Sequence, residues 1–96
     1  MPDYKLSLLA EIDLFDIAEA TIENWGQKQA RKYALLLDEI INKLSQHPEL
    51  GLQRNELYKD ARSFPAEKHI IYYCYENSTV KVARILHRRM DPTKHF

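Results

Sequence analysis

The sequence has one cysteine, two glycines and no excess of either charge. A single thiol, Cys74, excludes an internal disulfide and fits a reducing compartment, so a cytoplasmic protein is expected. The phosphate-loop, nucleophile-elbow and paired zinc-ligand patterns are all missing. His47, His69, His87 and His95 lie far apart without ligand spacing, so neither a metal nor a cofactor is expected. No apolar run reaches the length of a bilayer span, and Met1-Pro2-Asp3-Tyr4-Lys5 lacks the apolar segment of a signal peptide. No membrane partner is expected. Fourteen basic and fourteen acidic residues cancel, which argues against a strong sequence-independent grip on nucleic acid, and direct sequence-specific binding is not expected either.

What is present is an ordinary globular composition, 45% hydrophobic and 29% charged over 96 residues, enough for one domain with a modest core. The organising stretch is Thr79 to Met90. Its first part is β-branched and alternates apolar with polar, as a half-buried strand does. Its end gathers Arg84, His87, Arg88 and Arg89. From Arg84 onward there are four Lys or Arg and one acid, Asp91, so the neutral total conceals a locally basic end.

The rest of the chain supports that strand. Tyr4-Lys5-Leu6 reads as a short edge strand, and Ser7 as the N-cap of a helix with Glu11 and Asp13 near its positive end. Leu8, Ile12, Phe15, Ala18, Ile22 and Trp25 recur at helical spacing and are expected to form its buried face, widened by Leu14 and Ile17. Gly26 ends this helix. A second helix from about Gln27 carries a stripe of Ala30, Tyr33, Ala34, Leu37, Ile40, Ile41 and Leu44, and stops at His47-Pro48. The segment from Pro48 to Asp60 reads as a loop with Leu50, Leu52 and Leu57 turned inward. A short strand is expected near Ala61 to Phe64, a central one over His69 to Tyr75, and a turn at Glu76-Asn77-Ser78. The order is β-α-α-β-β-β, an α+β domain with a helical hairpin on a small, mainly antiparallel sheet.

His69 and His87 stand on the two arms of the last hairpin and could do acid-base work, although amphipathic strand histidines with satisfied nitrogens are the plainer reading. Arg84, Arg88 and Arg89 could meet phosphates or an acidic partner, or be solvated charge at a strand end. Tyr73 and Tyr75 alternate with Tyr72, so the tyrosines do not form one stacking surface. Cys74 reads as a small apolar filler.

Several segments together resemble a known family. They are Trp25-Gly26, Gln29-Ala30, Pro48-x-x-Gly51-x-x-Arg54, Arg62, His69-x-Ile71-x-Tyr73 and Arg84-Ile85-Leu86-His87-x-x-Met90-Asp91. The chain resembles the ParE toxins of bacterial type II toxin-antitoxin modules, within the RelE/ParE superfamily. The likeness spans nearly the whole chain, and Arg84 to His87 with Met90-Asp91 is its most specific part.

The resemblance implies a small cytoplasmic toxin that poisons DNA gyrase and forms a hetero-oligomer with a ParD-like antitoxin encoded beside it. RelE-like relatives instead cut messenger RNA on the ribosome. His69 stands where the nuclease-type strand commonly carries arginine, and no tyrosine follows Tyr75, so the non-nuclease branch is favoured and no catalytic residue is assigned. On this reading Arg84, His87, Arg88, Arg89, Met90 and Phe96 engage the target, and Tyr33, Leu36 and Leu37 line the antitoxin groove. A nuclease would instead use His69, Arg84, His87 and Arg88. A third possibility is an inactive module that only binds its antitoxin.

Overall fold

A computed structural model describes residues 3–96. Strand β1 (Asp3–Leu6) leads into helix α1 (Leu8–Trp25), which turns at Gly26 into helix α2 (Gln27–Gln46). After a 3₁₀ turn at Pro48–Leu50 come β2 (Leu52–Gln53), β3 (Arg62–Ala66), β4 (His69–Glu76) and β5 (Thr79–His87), then a second 3₁₀ turn at Pro92–Lys94. The sheet order is β1-β5-β4-β3-β2. β1 runs parallel to β5 at one edge, and the other pairings are antiparallel. This is the expected α+β arrangement with one addition, the two-residue β2 inside the segment read as loop. Leu50 and Leu52 in that segment are exposed, not turned inward.

The core lies between α2 and the sheet. Leu37, Ile41 and Leu44 of α2 meet Ile71 and Tyr73 of β4 and Val80, Val82 and Ile85 of β5. The phase of β5 changes midway because a bulge opposite Tyr72 and Tyr73 inserts one residue, so Val80, Val82 and Ile85 all reach the same core. Asn77 and Ser78 both have positive φ, the geometry of a tight two-residue hairpin between β4 and β5.

Helix α1 is rotated away from the expected face. Leu8, Ile12, Phe15, Ile22 and Trp25 are exposed, and Ala10, Leu14 and Ile17 face the core. Two stripes at helical spacing run along this helix, and periodicity alone does not choose between them. The choice is made by polar anchors. Ser7 caps α1 by accepting the Ala10 N–H at 3.0 Å, and its hydroxyl donates to the Ala83 carbonyl at the β5 bulge at 2.6 Å. The Ser7 N–H donates to the Val82 carbonyl. One turn later the Asp13 carboxylate meets Arg84 and the backbone of Ile85. Ala10, small and fully buried, lets the helix close on the strand.

The crossing between α2 and the sheet is fastened at Gly51. Its N–H donates to the Tyr73 hydroxyl at 2.9 Å, and that hydroxyl donates to the Pro48 carbonyl at 2.7 Å. A Cβ on Gly51 would collide with the Tyr73 ring. Arg62 donates to the Gly51 carbonyl at 2.7 Å from the other side. Gly26, at φ 88°, serves the opposite end by turning α1 directly into α2 in a conformation other residues rarely adopt.

Candidate functional site

Register pairs His69 directly with His87 across β4 and β5, and their rings meet edge-on with centroids 5.4 Å apart. Tyr33 reaches this pair from α2. Its hydroxyl lies 2.7 Å from His69 Nδ1 and 3.1 Å from the Ala66 carbonyl, and accepts the Lys68 N–H at 3.2 Å. With the hydroxyl proton on Ala66, His69 Nδ1–H donates to Tyr33, leaving Nε2 as the acceptor. Burial, and then the neighbouring His87 and Lys68, push His69 down to about 4, so its ring is neutral at physiological pH. Burial raises the Tyr33 hydroxyl. Above this trio opens a cavity of about 740 Å³ between the two helices and the β3–β4 turn. Ile17, Ala20, Trp25 and Leu36 give it apolar walls, and Lys32 and Lys68 stand among its polar lining. The Lys68 ammonium sits 5.2 Å from the centre of the Trp25 ring.

The basic end of β5 divides into two parts. Arg84 is not a free cation: its Nε and Nη2 donate to the two Asp13 carboxylate oxygens at 2.9 Å each, and Asp13 holds the guanidinium charged. This corrects the expectation that Arg84 faces a target or a phosphate. Arg88, Arg89 and Met90 are exposed on the turn after β5. The Arg88 N–H donates to the Lys68 carbonyl, and the Arg89 N–H to His87 Nδ1 at 3.2 Å. Phe96 lies apart from them. It folds back over the sheet, with its ring 5.2 Å from Tyr58 and 5.5 Å from Tyr72.

Of the three groove residues, Tyr33 and Leu36 line the cavity. Leu37 does not qualify as a docking residue: it is 1% exposed and sits in the core, because one further step around α2 turns it onto the sheet. Of the nuclease set, His69 and His87 touch, Arg84 is engaged by Asp13, and Arg88 is exposed on the turn after β5. The sequence reading missed two features. One is Asp13 as the partner of Arg84, separated from it by most of the chain. The other is the outward apolar stripe of α1, whose signal was present and was assigned to the wrong side of the helix.

The fold is shared with chains of known toxin-antitoxin structures. A chain titled "Chromosomal ParDE TA system from P. aeruginosa" superposes with a TM-score of 0.77 at 20% identity, covering 91% of this chain and 96% of that one. Another, from the toxin-antitoxin complex RelBE2 of Mycobacterium tuberculosis, gives 0.65 at 17% identity, covering 92% and 100%. The fold is thus one found in chains of toxin-antitoxin complexes. The family described as "ParE toxin of type II toxin-antitoxin system, parDE" matches residues 4–92. Toxin ParE1 of Caulobacter vibrioides is 32% identical over 96 residues, covering 100% of this chain and 99% of that protein. Toxin ParE1 of Mycobacterium tuberculosis is 33% identical over 94 residues, covering 97% and 96%. The chain belongs to the ParE family of type II toxin-antitoxin toxins.

Proposed function

We propose that this toxin acts by non-covalent engagement of DNA gyrase and is neutralised by a ParD-like antitoxin that docks on the hairpin face of α1 and α2. The observation that carries the docking is the exposed stripe of Leu8, Ile12, Phe15, Ile22 and Trp25, which runs the length of α1 and meets the cavity at Trp25. A row of large apolar side chains in water on a small domain is a surface made to be covered. A helix or extended segment with apolar anchors fits it, folding as it binds. The target side is the exposed turn with Arg88, Arg89 and Met90, a mixed basic and apolar patch of the kind used in protein recognition. The engagement of Arg84 by Asp13 supports binding over RNA cleavage, because it commits one of the basic side chains a nuclease would use on the phosphate to an internal ion pair. Action on gyrase is a cytoplasmic activity, and no helix among the described residues is long and apolar enough to cross a membrane.

The deciding experiment is gyrase supercoiling with and without the purified protein, scoring inhibition and trapped cleaved DNA. Cleaved DNA that rises with the protein and disappears when antitoxin is added is the expected result. Folded protein that leaves gyrase untouched would overturn the target and turn attention to cleavage of messenger RNA on programmed ribosomes.

A further inference from the structure

Tyr72 is 1% exposed although it lies on the face of the sheet away from the helices. Its neighbours along β4, Ile71 and Tyr73, point into the core, so alternation sends Tyr72 outward. Its cover comes partly from residues 91–96. Phe96 meets Tyr72 edge-on at 67° and lies tilted on Tyr58, while the Arg54 guanidinium is 5.8 Å from the Tyr72 ring centre. The cover is lightly attached. Among the described residues, the hydrogen bonds of the segment are its own: Thr93 N–H and hydroxyl to Asp91, Lys94 N–H to the Asp91 carbonyl, and His95 N–H to the Pro92 carbonyl. Phe96 itself remains 43% exposed. The Tyr58 hydroxyl is buried with no hydrogen-bond partner among the described residues.

From this we propose that residues 91–96 form a strap latched by the Phe96 ring against Tyr58 and Tyr72, and that its opening frees Phe96 for a protein partner while uncovering Tyr72. The idea extends the proposed target side from the exposed turn of Arg88, Arg89 and Met90 into residues 91–96, and rests on that reading for the partner. Pro92 and the Asp91 cap keep the strap in a compact turn, so it lifts as a unit about the exposed residues Arg89 and Met90.

The test is nitration of Tyr72 in the partner-free protein, mapped by mass spectrometry, with circular dichroism to establish folding. Phe96→Ala, which removes both ring contacts, is expected to raise the Tyr72 rate roughly tenfold. Phe96→Tyr keeps a ring in place and is expected to hold the rate near that of the unaltered protein. An unchanged Tyr72 rate in folded Phe96→Ala overturns the latch. So does a Phe96→Ala protein that does not fold, since the strap would then be part of the core. A partner is not needed for this reading, so a negative gyrase assay bears on the target and leaves the latch to be judged by nitration.

Discussion

Asp13 and Arg84, 71 positions apart, form a two-pronged ion pair that locks α1 to the last strand. Asp13 also accepts the Ile85 N–H at 2.9 Å, just past the point where β1 stops pairing with β5. One carboxylate therefore satisfies a guanidinium and a strand edge together. Both side chains are mostly buried, at 10% and 17% exposed, so the pair is poorly screened.

Breaking that pair from one side leaves a charge without its partner. Asp13→Ala is expected to cost about 3 kcal/mol in urea denaturation, and Arg84→Ala a comparable amount. The double variant should cost clearly less than the sum, because the two changes remove one interaction. Strict additivity would show that the contact contributes nothing to the fold.

Leu37 and Phe15 separate folding from docking. Leu37→Ala opens a cavity in the core and should lower stability by about 2–5 kcal/mol. Phe15→Asp replaces a side chain that is 64% exposed and should leave the melting temperature within a few degrees of the parent. On co-purification with the proposed ParD-like antitoxin, Phe15→Asp is expected to lose the partner. Retention of the complex by folded Phe15→Asp would remove α1 as the docking face.

Tyr73 holds the crossing loop through one hydroxyl that accepts from Gly51 and donates to Pro48. Tyr73→Phe deletes both bonds and strands a buried N–H, so a loss of about 1–3 kcal/mol is expected. Gly51→Ala should be at least as harmful, because the new methyl group and the Tyr73 ring claim the same space. Hydrogen exchange at Gly51 should rise in Tyr73→Phe before the strands are affected.

His69 makes stability fall in mild acid. Its folded value of about 4 lies below the ordinary 6.5, so between those values the unfolded chain binds the extra proton. The contribution is fully present above pH 6.5 and declines as pH drops toward 4. A loss of roughly 2 kcal/mol over that window is expected. His69→Gln should flatten the slope there; an unaltered slope would mean that His69 titrates normally in the fold.

Much of this architecture was legible in the sequence. The β-branched and aromatic run at His69–Tyr75 could only be a strand, and Ser7, Gly26 and His47-Pro48 marked helix ends because their backbone and capping chemistry is local. The resemblance carried by Arg84 to Asp91 led to the right family. Local signals fail where the deciding partner is distant. Arg84 looked like a free cation because Asp13 sits far upstream, and Leu37 looked available because nothing in α2 says which part of a broad stripe meets the sheet.

The sequence by itself determined both helices, every strand but the two-residue β2, their order and the family, because capping, turn geometry and apolar period act over a few residues. Tertiary structure decided the rotation of α1, the engagement of Arg84, the meeting of His69 with His87 and the folding of Phe96 over Tyr58 and Tyr72. Periodicity fixes how far apart apolar residues fall around a helix, not which side turns inward. Here Ser7 and Asp13 made that choice by bonding to β5, and so left in water the stripe proposed to receive the antitoxin.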